Sequence, residues 1–277
     1  MGGEAEADRD GSEDLSQSGR AGGRRIAVLI EYDGTAYRGS QYQENGPSIQ
    51  SVLEAAINKL TAETMRVAFA GRTDAGVHAL GQVAGFDTES ALTPAEFRSG
   101  LNHFLPEDIV VRAAREASGF DPRRDAVGRL YRYRIDNRPV RPALDRQRAW
   151  HVAKPLDVDA MRRAAERLVG EHDFAAFAGP YEGTVRTLRR CEVLLEGREI
   201  AREIAVEMEA QAFLPHQVRR TVGQLVEVGL GRMSEEELAA LLEAARPSSA
   251  GPAAPACGLY LVEVRYDGFG FEPEDAG

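Results

Sequence analysis

The residues whose types and spacing can do chemistry lie first in Ala70-Gly71-Arg72-Thr73-Asp74-Ala75-Gly76-Val77-His78-Ala79. A small apolar segment, Met65 to Ala70, leads into this stretch, and an alternating one, Leu80 to Phe86, leads out. Strand, short loop, strand predicts a hairpin, with Asp74, Ala75 and Gly76 as turn residues that tolerate unusual backbone angles. In extended backbone, residues two apart point to the same side, so Arg72 and Asp74 can meet as a charge pair. A carboxylate kept ionised by a guanidinium is a candidate nucleophile or general base. An aspartate that hydrogen-bonds its own turn is the plainer reading of Asp-x-Gly taken alone. A plain turn, however, needs neither the arginine before it nor His78 after it.

Two further constellations lie in the second half. Arg129-Leu130-Tyr131-Arg132-Tyr133-Arg134 alternates cations and aromatics, so a strand here presents Tyr131 and Tyr133 on one side and Arg132 and Arg134 on the other. It reads either as an edge strand with a solvated basic face or as aromatics that stack a base beside arginines for a nucleic-acid backbone. Phe213-Leu214-Pro215-His216-Gln217-Val218-Arg219-Arg220 places His216 and Arg219 three apart at a helix start, on one face. Taken alone, Arg219 reads as a solvated helix residue. His172 and Asp173 are adjacent, diverge on helix or strand, and have no further ligand cluster near them, so a metal reading is rejected. There is no Walker motif, no G-x-G-x-x-G and no G-x-S-x-G. Nucleotide hydrolysis, dinucleotide binding and α/β-hydrolase chemistry therefore lack their signatures.

The elements that must position these residues follow from periodicity. Residues 1–23 are acidic and glycine-rich and read as a disordered tail without the apolar segment of a signal peptide. Arg25 to Tyr32 is a buried strand. A helix capped by Ser48 runs to about Leu60, and the hairpin follows. Thr93-Pro94-Ala95-Glu96 starts a helix to about Phe104, and Ile109 to Ala114 is the next strand. This β-α-β-β-α-β order is the ferredoxin-like one. The second half repeats it approximately. Its strands are Gly128 to Ile135, Val185 to Leu195, Glu199 to Ala210 and Gly258 to Tyr266. Its helices are one capped by Asp157, Pro215 to Val228, and an extra one over Leu238 to Ala245 capped by Ser234. The expected fold is therefore α/β (α+β): two pseudo-repeated βαββαβ halves, 24–117 and 118–267, with mixed or antiparallel sheets around a basic cleft. A flexible acidic end, 268–277, follows.

Composition bounds the partners. The 277 residues carry a net charge of -10, and 43% are hydrophobic, which suits a globular core. No run is long enough to span a membrane. Cys191 and Cys257 are the only cysteines, which suggests neither a disulfide framework nor a zinc site and fits a reducing cytoplasm. Charge distribution matters more than the sum. Residues 115–150 hold ten arginines and five acids, a surplus of five, and guanidinium forks suit phosphate. A basic face on an acidic protein is compatible with RNA.

The stretch Ala70 to Ala79, with Gly81-Gln82-Val83, resembles the signature of the TruA family of tRNA pseudouridine synthases. The likeness extends over almost the whole chain after the tail: Tyr32-Asp33-Gly34-Thr35, Tyr131-Arg132-Tyr133, Gly170 to Phe174 with Phe177, Arg186-Thr187, Phe213 to Arg219 with Gly223, and Gly258-Leu259-Tyr260-Leu261. The resemblance implies isomerisation of uridine to pseudouridine at positions 38 to 40 of the tRNA anticodon arm, without cofactor or metal. It implies a homodimer in which one tRNA touches both subunits. By position, Asp74 is the nucleophile, Arg219 its salt-bridge partner in place of Arg72, and Tyr131 the surface on which the base stacks, with a part in proton removal. Leu259 lines the base pocket, Arg72 assists base flipping, and Phe120 to Arg124, with Arg123, contacts tRNA. Arg132 and His216 are the remaining substrate-binding candidates. Two positions depart from the family pattern: Ser40, where a tryptophan is usual, and Arg124, where an aromatic is common. The competing reading, a non-catalytic ferredoxin-like RNA-binding module, needs the basic strand but not Asp74, Tyr131 and Arg219 together.

Overall fold

The computed structural model describes residues 23–198 and 201–271. In the first half, strand β1 (Arg24–Tyr32) is followed by helix α1 (Ile49–Thr61), strands β2 (Ala68–Phe69) and β3 (His78–Thr88), helix α2 (Pro94–Phe104) and strand β4 (Ile109–Glu116). The second half opens with β5 (Ala126–Asp136), the two-residue β6 (Trp150–His151) and α3 (Val158–Glu166). It continues with β7 (Gly170–Asp173), β8 (Val185–Arg198), β9 (Ala201–Ala210), α4 (Gln217–Gly229), α5 (Glu235–Ala244) and β10 (Leu259–Tyr266).

The helix starts are set by the residues that satisfy their first free N–H groups. Ser48 accepts from Ser51, Thr93 from Glu96 and Ser234 from Glu237, each with a reciprocal bond that completes a capping box, and Asp157 accepts from Ala160. Helix α4 differs. It starts at Gln217 rather than Pro215, because His216 takes the left-handed conformation, φ 61°, without a side-chain cap.

The mixed α+β architecture is the expected one, with an addition. The strands form one sheet in the order β4-β1-β3-β10-β5-β9-β8-β7. Leaving out the short β6 and β7, the four main strands of each half are arranged alike, the fourth beside the first, the first beside the third and the third beside the second, so the pseudo-repeat extends to strand order. Strand β2 reaches only the far end of β3, pairing Ala68 with Gly85 and Phe69 with Ala84. That leaves the near end of the same edge free for β10, which joins it in parallel at Tyr260–His78 and Leu261–Ala79. The two half-sheets are thereby fused edge to edge, and the loop 70–77 opens at the seam.

Some elements differ from expectation. Strand β2 is shorter than Met65–Ala70 because Val67 donates its N–H to Glu54 of α1 (3.0 Å) instead of to a neighbouring strand. Strand β5 is longer than Gly128–Ile135, since β10 and β9 both pair with it. Strand β7 was not expected. It is a polar edge strand, held by pairing Gly170 to Asp173 against β8, and polar edges lack the alternation that marks strands. The tail lies outside the described residues except for Gly23, as do residues 272–277. At 268–271, Phe269 stacks on Phe120 at 3.9 Å and Arg115 lies over its ring.

Candidate active site

The loop 70–77 owes its shape to contacts outside itself. Ser40, fully buried, donates its N–H to the Thr73 carbonyl (3.0 Å), and its hydroxyl accepts from the Thr73 N–H (2.8 Å). Gly39 lies beside them at φ +100°, where a Cβ would come within 2.7 Å of the Thr73 oxygen, so the approach requires glycine. The Thr73 hydroxyl bonds the buried Tyr32 hydroxyl (2.8 Å), and Gln82 donates to the Gly71 carbonyl (2.8 Å). The Asp74 carbonyl accepts from Val77 (3.1 Å), closing the turn. These contacts fix the backbone on both sides of Asp74 and leave its carboxyl 35% exposed.

Arg129 fastens the second half to the same loop. It shares strand parity with Tyr131 and is buried, so its guanidinium must find partners inside. It donates to the Ala70 carbonyl through Nη2 (2.6 Å) and Nε (3.2 Å), to the Arg123 carbonyl (3.1 Å), and to the Gln211 carbonyl. One side chain thus joins the loop entrance to β5 and to the segment that leads into α4.

Asp74 meets Arg219 across the seam. Arg219 Nη1 donates to Asp74 Oδ2 at 2.7 Å, while its Nε donates to the Ala254 carbonyl, also at 2.7 Å, so the guanidinium is held at two points. His216 Nε2 lies 3.6 Å from the same carboxylate oxygen. The left-handed backbone at His216 is a strained conformation for a non-glycine residue, and it stands where the imidazole faces Asp74.

Tyr131 is 8% exposed and meets Phe213 edge to face, with ring centroids 5.2 Å apart. Its hydroxyl lies beside Gly71, whose added Cβ would be 3.8 Å away. Burial, reinforced by Tyr32 and Asp74 and opposed by Arg129, pushes its phenol far above the ordinary tyrosine value. It is a neutral phenol at physiological pH. Leu259 is buried at the start of β10, opposite Tyr133 and one residue before the His78–Tyr260 pair.

The remaining candidates lie elsewhere. Arg72 is exposed, and Asp74 pairs with Arg219 and His216 instead of with it. Arg123 is exposed on the segment that Arg129 holds. Arg124 turns back to Asp121 at 3.1 Å. Arg132 is on the opposite side of β5 from Tyr131 and ion-pairs with Glu196 and Glu207. Arg134 pairs with Glu203 (2.7 Å), Arg190 with Glu207 (3.0 Å) and Arg265 with Glu209 (2.6 Å). The basic face of β5 is therefore neutralised by a ladder of glutamates, chiefly from β9. Asp173 accepts from Ala175 (3.0 Å), and His172 Nε2 lies 3.2 Å from the Val169 carbonyl. No cluster of three ligating side chains occurs among the described residues.

Sequence reasoning gave no role to Ser40, Tyr32, Gln82 or Arg129 in shaping the loop. For Arg129 the signal was available: a cation on the parity of Tyr131, Tyr133 and Ile135 has to be satisfied within the fold. Ser40 drew notice only as a departure, and its burial against Thr73 depends on a long-range approach that periodicity does not reveal.

The chain that builds this seam matches a known family. Residues 28–122 and 164–267 match the family described as tRNA pseudouridine synthase. The chain is 46% identical over 244 residues to tRNA pseudouridine synthase A of Pelobacter propionicus, covering 88% of this chain and all of that one. It is 46% identical over 243 residues to the protein of that name from Myxococcus xanthus, covering 87% and 92%. It is 47% identical over 248 residues to that of Rhodopseudomonas palustris, covering 88% and 99%. The chain belongs to the TruA family of tRNA pseudouridine synthases.

Proposed function

We propose that this protein isomerises uridine to pseudouridine at positions 38 to 40 in the anticodon arm of tRNA, with Asp74 as the nucleophile. The observation that carries the reading is the Asp74–Arg219 pair, 2.7 Å across the seam and next to Tyr131, in a chain of this family. A non-catalytic RNA-binding module has no need of that pair, and its basic strand is here occupied by glutamates.

The chemistry calls for these groups. Uracil is bound to ribose through N1 and must be rebound through C5, so the nucleotide first leaves the base stack. The Asp74 carboxylate attacks the nucleoside and the N-glycosidic bond breaks. Arg219 orients the carboxylate through its hydrogen bond to Oδ2. The detached uracil stays flat on the ring of Tyr131, where proximity makes rejoining faster than escape. Carbon–carbon bond formation at C5 is accompanied by release of the Asp74 carboxylate from the adduct, C5 loses its proton and N1 takes one up, so product and substrate have the same composition. Burial holds Tyr131 as a phenol in the resting site, and its ring is the surface that carries the base. His216, beside the carboxylate, and Leu259, on β10, complete the substrate-binding set. Exposed Arg72 and Arg123 suit phosphate and base flipping. Arg132, turned to the other side of the sheet, is the least suited of the original candidates.

The halves 24–117 and 118–267 supply Asp74 and Arg219 respectively, and a homodimer shares each tRNA between two subunits in the cytoplasm. No step requires a metal or cofactor. The test is incubation with unmodified tRNA followed by base-resolution mapping. Pseudouridine confined to positions 38 to 40 supports the reading, and tRNA binding without pseudouridine contradicts it.

A further inference from the structure

His78 follows the catalytic loop by one residue, opens β3, is 2% exposed, and takes no part in the steps above. Its surroundings come from four places in the chain. Nδ1 accepts from the Gly34 N–H at 3.1 Å. Nε2 lies 3.1 Å from the Gln147 carbonyl and 3.2 Å from the Cys257 carbonyl. The ring stacks on Tyr260 with centroids 4.7 Å apart and planes 22° from parallel. Tyr260 is its register partner where the two half-sheets fuse. Gly34 itself presses on the loop, since a Cβ there would fall 1.9 Å from the Val77 carbonyl oxygen.

One protonation state satisfies all of this. With the proton on Nε2, the ring accepts once and donates toward two carbonyls; with the proton on Nδ1, it would oppose the Gly34 N–H and leave Nε2 facing two acceptors. The charged groups facing the ring are Asp33 and Arg148. Asp33 Oδ1 lies 3.1 Å from Nδ1 but already accepts from the Thr35 N–H and hydroxyl, and Asp33 Oδ2 is taken by Arg148 at 3.0 Å. Tyr260 turns its hydroxyl away to the Arg148 carbonyl (2.8 Å). Burial, opposed by Asp33 and the two carbonyls, holds the imidazole below its ordinary value.

We propose that His78 is a positioning residue: as the neutral Nε2–H tautomer it fastens the catalytic loop to the 33–34 turn of its own half and to residues 147 and 257 of the other. It thereby sets where Asp74 stands relative to Arg219 and to the pocket entered by Leu259. Cys257 precedes Leu259 by two residues, and Ala254, which anchors Arg219, precedes Cys257 by three. A loosened His78 therefore lets both sides of the catalytic pair drift. The proposal rests on Asp74 being the nucleophile.

The test compares His78→Phe, which keeps the ring on Tyr260 and loses every hydrogen bond, with His78→Gln, whose amide restores a donor toward the two carbonyls. Single-turnover pseudouridine formation and tRNA dissociation constants are measured with wild type and Asp74→Ala alongside. Because a shift of about an ångström in a reacting group slows chemistry as much as a hundredfold, His78→Phe is expected to lower the rate constant about ten- to a hundredfold, with tRNA affinity within about twofold and partial recovery in His78→Gln. A wild-type rate in His78→Phe, or a loss explained by tRNA affinity, overturns the proposal. Independently of activity and of how the variants fold, the imidazole nitrogens of wild-type protein labelled with 15N-histidine should show the neutral Nε2–H tautomer for His78 at pH 7. A cationic or Nδ1–H ring overturns it. If wild type makes no pseudouridine, or Asp74→Ala still does, the underlying reading fails instead.

Discussion

Arg219→Lys separates charge from geometry at the Asp74–Arg219 pair. In the native site the guanidinium spans Asp74 Oδ2 and the Ala254 carbonyl, each at 2.7 Å, and is held in one plane by doing so. An ammonium keeps the charge but has no second, fixed donor, so it serves one acceptor at the expense of the other. A hydrogen bond to a charged group contributes about 1.5–3 kcal/mol. Arg219 is 16% and Asp74 35% exposed in the side chain, so water screens part of the interaction and the lower end applies. A deficit of about 1.5–2 kcal/mol in the transition state is a fall of roughly ten- to thirtyfold in the single-turnover rate. Arg219→Ala also removes the charge and leaves the Ala254 carbonyl without its donor, so its fall should exceed about a hundredfold. The assay is release of tritium from tRNA labelled at uracil C5, since forming the carbon–carbon bond expels that hydrogen, with tRNA affinity measured separately. A lysine variant at the wild-type rate, or an alanine variant whose loss is all in tRNA affinity, would refute the reasoning.

Three further outcomes follow from the geometry. Tyr131→Phe keeps the ring and should stay within about threefold of wild type, whereas Tyr131→Ala removes the stacking surface, with stacking contributions of about 1–3 kcal/mol per base, and should slow product formation by ten- to a hundredfold. Arg129→Met leaves the buried carbonyl of Ala70 and the part-buried ones of Arg123 and Gln211 short of a donor and should lower unfolding free energy by about 2–4 kcal/mol in denaturant titration. The Arg134 guanidinium, bonded to Glu203 and outweighing its desolvation, holds that carboxyl below its usual range. The stability it contributes is complete above the unfolded glutamate value and is lost as pH falls through the lowered folded one. Glu203→Gln should therefore flatten part of the acid limb of the stability–pH curve and leave the neutral region as the place where it is less stable than wild type.

How much of this could be read beforehand depended on whether the cause was local. Helix starts at Ser48, Thr93 and Ser234 were legible because a cap and its third residue lie within one turn. The βαββαβ order was legible because periodicity switches between elements. The fusion of β3 with β10 was not, since it joins residues about 180 positions apart and follows from β2 stopping at Ala68–Phe69. At the site, spacing alone favoured Arg72 as the partner of Asp74, because it sees only neighbours. Arg219 came from the family resemblance, and the geometry that joins it to Asp74 lies in the seam. The arginines of β5 read as a solvated basic face or as an RNA-binding one because their glutamate partners, on β9 and β8, are distant in sequence. Spacing puts His216 at the helix start on one face with Arg219, whereas its left-handed backbone just before the helix stands where the imidazole faces the carboxylate.

The proposed function turns on the Asp74 carboxylate as the nucleophile of an RNA-uridine isomerase. Its most direct test is to incubate Asp74→Ala and wild type with unmodified tRNA, map pseudouridine in the anticodon arm, and measure tRNA affinity for both. Product is expected at positions 38 to 40 with wild type only, and tRNA affinity within about threefold between the two proteins. Pseudouridine made by Asp74→Ala would contradict it.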